Sequence, residues 1–148
     1  MRTVRVAAAI IKSDQGILAC RRADAQGDGG WEFPGGKVEE GESAEAACRR
    51  EVAEELGCRL QLAWPYDVVE ADYPDFHLIM ECFACTLEPE EEPVATPGVH
   101  SELRWVDRDG LMGIDWLPAD RTLAQSLGMN WTLTICNVAT SALVRECK

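Results

Sequence analysis

Apolar residues first gather in the run Val6 to Ile11, which ends at Lys12 and gives way to the polar turn Ser13 to Gly16. A short unbroken apolar run closed by turn residues predicts a buried strand. Ile17 to Cys20 pairs back on it as a second strand, with Asp14 to Gly16 as the hairpin turn. A loop with several glycines, Ala23 to Gly30, follows. From Ala44 the pattern changes: the Ala-rich segment to Ala53 has high helix propensity, Ser43 offers a hydroxyl as N-cap, and Gly57 suits the position after Leu56. The spacing therefore predicts a helix of about three and a half turns. Beyond it, Arg59 to Tyr66 and Val68 to Ala71 read as short strands and Phe76 to Leu87 as a long one, with the turn Asp72-Tyr73-Pro74-Asp75 before it. Glu88 to Pro93 is an acidic stretch that reads as a solvated loop. Leu103 to Val106 is a further strand, Asp107 to Met112 a short helix or turn, and Arg121 to Leu127 a helix stopped by Gly128. The tail from Asn130 to Lys148 has mixed patterning, compatible with a helix from about Val138 or with an extended segment.

With 148 residues, 47% of them apolar, and no Pro/Ser-rich linker, the chain is expected to form one domain over residues 1–148 with a sizeable core, the topology of the tail from about 129 being open. The net charge of −12 argues against a nucleic acid polymer as partner, because polymers are held mainly by Lys and Arg on phosphate. A small phosphorylated ligand remains compatible, its charge met by a bound cation and one or two local arginines. No apolar run approaches the length of a membrane span. Of the seven cysteines, Cys82 and Cys85 form a CxxC, but strand alternation puts them on opposite faces, and no second pair completes a zinc cage. The odd count and the lack of a secretory leader predict reduced thiols in a cytoplasmic protein.

The acidic positions on the central helix change the picture. Glu51, Glu54 and Glu55 stand at i, i+3 and i+4, so the helix puts three like charges on one face. A hard divalent cation, which prefers oxygen ligands, would relieve that repulsion and gain from it. Gly35, Gly36 and Gly41 precede the helix and let the backbone approach closely whatever lies over it.

Gly36, Glu42 and the unbroken run Arg50 to Cys58, at these gaps, resemble a complete Nudix box. Arg21, Arg22 and Trp31-Glu32-Phe33-Pro34 before it, and Glu102 to Val106 and Trp116 to Asp120 after it, are similar to the MutT branch of that family. The resemblance implies an α+β fold, an α/β/α sandwich around a mixed sheet. It also implies hydrolysis of a (deoxy)nucleoside triphosphate to the monophosphate and pyrophosphate, with Mg²⁺, or Mn²⁺ in its place, as cofactor. The same chemistry on a nucleotide sugar or dinucleotide, or a nucleotide sensor without turnover, are the alternatives. Bound metal would supply positioning, charge neutralisation and a lowered water pKa.

The resemblance implies Glu54 and Glu55 as metal ligands, joined by Glu51 and the carbonyl of Gly35. Arg50 orients a ligand, and its spacing to Glu54 also fits an ordinary ion pair. Glu42 stands behind the ligands or is a weak outer ligand itself, and its place beside the helix start also fits a solvated loop residue. Water activation falls to Glu51 or to a carboxylate from a later loop. Arg22 is expected on phosphate, Tyr73 as the aromatic that stacks on the base, and Asp120 as the carboxyl that reads its edge, the last two being equally readable as turn packing and helix capping. Two positions depart from the branch. Val99 stands where a glutamate is usual, six residues before Trp105, and Phe76 stands where the oxidised-guanine enzyme has an arginine. Glu102, three residues after Val99, is placed either to reach the metal instead or, the reading preferred, as an exposed strand-edge glutamate, and His100 either to contact phosphate or move a proton or, again preferred, as a loop surface residue. A monomer or a homodimer is compatible with the sequence.

Overall fold

In the computed structural model, which describes residues 2–23 and 29–131, the run Val6 to Ile11 lies in the long strand β1 (Arg2–Ser13). Alternation along β1 sends Ala7, Ala9 and Ile11 to one face of the sheet and Ala8 and Ile10 to the other, each into a separate apolar cluster. β1 runs parallel to β6 (Phe76–Leu87) from Arg2↔Phe76 to Lys12↔Thr86, and meets β2 (Gly16–Arg22) antiparallel at the hairpin pair Ser13↔Gly16. With β3 (Trp31–Glu32) and β5 (Leu60–Asp72) the strand order is β3-β2-β1-β6-β5; β4 (Gly35–Lys37) joins β1, and β7 (His100–Val106) joins β2. The sheet is thus mixed.

Helix α1 (Ala44–Leu56) covers the face of Ala7 and Ile11 with Ala47, Cys48, Val52 and Leu56. The short α2 (Arg108–Leu111) and α3 (Pro118–Met129) cover the other with Leu111, Leu123, Ala124 and Leu127. This is the α+β sandwich expected. Cys82 and Cys85 fall into the two different clusters, as alternation requires. Among the described residues no helix is long and apolar enough to cross a membrane.

The two short strands expected between Arg59 and Ala71 are halves of one. β5 pairs with β6 throughout, with a register shift between Pro65 and Asp67. The bulge absorbs Tyr66, whose hydroxyl lies 3.0 Å from Ser126 Oγ on α3, and Pro65 is tolerated because β5 is the outermost strand. Helix α3 begins at Pro118 rather than Arg121 and runs through Gly128. Proline at the first helical position loses no hydrogen bond that would otherwise be made, and a single glycine costs too little to end a helix packed on the sheet. β3 and β4 were not expected, because glycine-rich sequence carries little strand propensity. Pairing to β1 at Val6↔Lys37 and Ala8↔Gly35 makes β4 a strand. Residues 132–148, most of the tail left open, lie outside the described residues.

Candidate active site

Helix α1 starts and ends where its caps dictate. Ser43 Oγ accepts from the Ala46 N–H at 3.1 Å, and Gly57 takes the left-handed conformation at φ 63° with its N–H on the Ala53 carbonyl. Between these ends one guanidinium gathers the acids. Arg50 donates to both oxygens of Glu42 at 2.8 and 3.0 Å, to Glu51 Oε1 at 2.7 Å, to Glu54 Oε2 at 3.2 Å and to the Lys37 carbonyl at 3.0 Å. Glu42 also accepts from the Glu39 N–H at 3.0 Å. These bonds, Arg50's first among them, hold the Glu42 carboxyl well below its ordinary value, at about 2. Glu42 therefore braces Arg50, closing the loop ahead of α1 onto the middle of the helix.

Glu55 turns the other way. Its Oε1 accepts from the Gly35 N–H at 3.3 Å, and it lines a cleft on the α3 side of β1. The shared helix face thus divides: Glu51 and Glu54 rest on Arg50, Glu55 on Gly35. Among the described residues no three acidic, histidine or cysteine side chains stand together as a ready cage. The chemistry of the site nonetheless suits a hard cation. Burial pushes Glu55 up to about 7, with Glu32 and Glu51 adding to the rise and His100 and the Gly35 N–H opposing it, so negative charge is held there at a cost that a cation would remove. Gly36 is part of the same construction, since a Cβ on it would overlap the Glu51 carboxylate.

The cleft has a volume of about 460 Å³, room for a ring system rather than a polymer. Its apolar surface comes from Ala8 on β1, Leu78 and Met80 on β6, Phe33 ahead of β4, and Leu117 at the start of α3. Tyr73 and Phe76 stack on each other at its mouth, centroids 4.9 Å apart, so Tyr73 both packs the turn and lines the cleft. The acidic and basic side chains along it are Arg22, Glu32, Lys37, Glu55 and Asp120. Asp120 does not cap α3, whose N-cap is Leu117. It lies in the first turn, buried, with Oδ1 accepting from the Phe33 N–H at 2.9 Å. Burial first, then Glu32, raises its carboxyl to about 7 against the Phe33 hydrogen bond. At neutral pH it is poised between donor and acceptor.

Arg22 reaches Glu32 Oε1 at 3.3 Å as it lines the cleft. His100 is not on a loop surface: it begins β7, its side chain is fully covered, and Nε2 lies 2.9 Å from Glu32 Oε2. The pairing of β7 with β2 buries it, a long-range contact that neighbouring residues do not announce. Glu102 is half-buried on β7 rather than exposed, and is bonded by Arg104 at 3.0 Å. Val99 lines the cleft as an apolar residue. Glu32 was not singled out by sequence reasoning. The lead-in Trp31-Glu32-Phe33-Pro34 was the available signal, an acid set among residues that turn out buried. The acidic loop after β6 is also more than solvated, since Glu91 accepts from the Arg59 N–H at 2.8 Å.

The NUDIX domain family profile matches residues 1–127. The 8-oxo-dGTP diphosphatase of Escherichia coli (strain K12) is 33% identical over 129 residues, covering 86% of this chain and 98% of that protein. The nucleoside triphosphatase NudI of Enterobacter sp. (strain 638) is 29% identical over 145 residues, covering 87% of this chain and 99% of NudI. Among solved structures, the E. coli ORF135 protein superposes with a TM-score of 0.75 at 28% identity, covering 90% of this chain and 94% of that one. A MutT NUDIX hydrolase from Burkholderia pseudomallei superposes with a TM-score of 0.68 at 30% identity, covering 88% and 98%.

Proposed function

The chain belongs to the NUDIX domain family, as a hydrolase of its MutT-like branch, and from that premise we propose that it cleaves a (deoxy)nucleoside triphosphate to the monophosphate and pyrophosphate, with Mg²⁺ bound at the α1 carboxylates. The observation that carries this reading is Glu55: it belongs both to the acidic face of α1 and to the lining of the apolar cleft. A nucleotide spanning the two would have its base between Tyr73, Leu78 and Phe33 and its phosphates toward α1. Glu51, Glu54, Glu55 and Gly35 would hold the ion. When bound it would neutralise phosphate charge and lower the pKa of attacking water.

The chain's own residues then have separable tasks. Arg50, braced by Glu42, fixes the orientation of Glu51 and Glu54 and prevents their mutual repulsion from splaying them. With Oε1 held by Arg50, Glu51 offers its other oxygen to take a proton from water. Arg22 offers charge to phosphate, and Asp120 with Glu32 offers polar contacts to the base edge. The oxygen-only donor set supports a hard divalent cation, Mg²⁺ with Mn²⁺ as a substitute. A base without oxidative damage is included, because Phe76 supplies stacking surface and no charge at the cleft mouth.

The test is product analysis with the four dNTPs and 8-oxo-dGTP in the presence of Mg²⁺. Pyrophosphate and monophosphate are expected, and Glu54→Gln should reduce turnover by about a hundredfold or more while leaving the melting temperature nearly unchanged. Cleavage of a nucleotide sugar or dinucleotide without pyrophosphate release from any triphosphate would overturn the reading.

A further inference from the structure

We propose that His100 is a positioning residue for the nucleotide cleft: from its covered place in β7 it holds the Glu32 carboxylate on the cleft wall as a fixed hydrogen-bond acceptor and so sets base preference. This rests on the reading of the cleft as a nucleotide site. The His100 side chain is wholly covered, and its Nε2 lies 2.9 Å from Glu32 Oε2. The opposite nitrogen, Nδ1, is buried with no hydrogen-bond partner among the described residues. For Nε2 to donate to a carboxylate it must carry the proton.

A covered histidine with one orphaned nitrogen makes a poor packing element, since an apolar residue of similar size would avoid the unmade bond. What the imidazole provides is the single directed bond to Glu32. Glu32 needs it. Its side chain is 18% exposed and stands in a cleft with Glu55 and Asp120, whose electrostatic repulsion favours turning it away. Two donors hold it from either side: Arg22 Nη1 on Oε1 at 3.3 Å and His100 on Oε2. The donors are themselves fixed to each other, because β2 and β7 pair at Arg22↔His100 and the Ala23 N–H bonds the Val99 carbonyl at 3.0 Å. Three strands, β3, β2 and β7, therefore converge on one carboxylate. With both oxygens anchored, the outward lone pairs of Glu32 keep one direction and accept from a ligand N–H only where the base presents it. A freely rotating carboxylate would accept from any base.

The experiment compares wild type, His100→Ala, His100→Gln, Glu32→Gln and the double variant His100→Ala/Glu32→Gln. Readouts are affinity for a set of non-hydrolysable α,β-methylene nucleoside triphosphates, kcat and KM for the matching dNTPs, and melting temperature. His100→Ala should weaken binding of the preferred base about tenfold, the loss expected when a support of a ligand-contacting carboxylate is removed, and should flatten the preference among bases, with the loss falling on KM more than on kcat. His100→Gln, whose amide N–H can replace Nε2–H, should recover most of both. The double variant should be no worse than Glu32→Gln alone. Additive losses would overturn the proposal, as would an equal loss for every base that tracks a lowered melting temperature in both His100 variants. Absence of turnover in the wild type would remove the hydrolase reading only, because the binding comparison still decides the role of His100. Absence of nucleotide binding in the wild type would overturn both.

Discussion

Burial and ionisation pull Asp120 in opposite directions. Its carboxyl is raised to about 7 in the folded chain, chiefly by desolvation, from an unfolded value near the ordinary 3.8. A raised folded value means that the fold favours the protonated form. That stability is fully present below about pH 4, is lost as pH rises through about 7, and above that leaves a constant penalty on the order of a few kcal/mol. Asp120→Asn keeps an oxygen for the Phe33 N–H and removes the charge. Urea denaturation should find the variant more stable than wild type at pH 8 and little different at pH 4. An unchanged difference across that range would show that Asp120 does not titrate in it. Gained stability should come with weaker nucleotide binding, since the carboxyl is retained at a cost in the position where it faces the cleft. Glu55 is governed by the same sign for a different outcome. Its value of about 7 means that a cation competes with a proton, so Mg²⁺ affinity measured by calorimetry should fall steeply below pH 7, and Glu55→Gln should remove that dependence.

Helix α1 couples two of its glycines to separable consequences. Gly57 takes φ 63°, and a side chain there meets no neighbour, so Gly57→Ala should cost about 1 kcal/mol from backbone strain alone, read as a melting temperature lower by a few degrees. Gly36→Ala adds a methyl group where the Glu51 carboxylate now lies, and the side chain is the part that can give way. Turnover should therefore fall by up to about a hundredfold while stability changes little; equal losses in both would mean that the backbone, not Glu51, had moved. The same contrast explains what the sequence disclosed. α1 was legible to its last residue because Ser43, the alanine run and Gly57 act within one or two turns of chain. The acid spacing was legible too, but not the division of the three carboxylates, which depends on Arg50 drawing in Glu42 from eight residues away. Beyond such local rules legibility fails in proportion to sequence separation. β4 exists by pairing with β1, α3 gains its first turn by packing against Phe33 and the sheet, and His100 is buried by β2, none of which its own neighbours encode.

At the scale of the whole molecule the net charge of −12 and the crowding of acids around α1 act together. A chain with this excess loses stability to self-repulsion, and the part concentrated near Glu51, Glu54 and Glu55 is the part a divalent ion removes. Binding to the folded state alone stabilises by mass action, about 2.7 kcal/mol when the ion is at a hundred times its dissociation constant. For a chain of this size that corresponds to roughly 5–10 °C in melting temperature. Thermal melts in rising Mg²⁺ should show that increase, and melts with a chelator should reverse it. General screening of the surface predicts a different pattern, in which a monovalent salt at equal ionic strength does the same. Glu54→Gln and Glu55→Gln should each lose most of the Mg²⁺ response while keeping the response to monovalent salt. If the variants respond to Mg²⁺ as the wild type does, the ion is binding elsewhere on this acidic surface and the carboxylates of α1 are not its ligands.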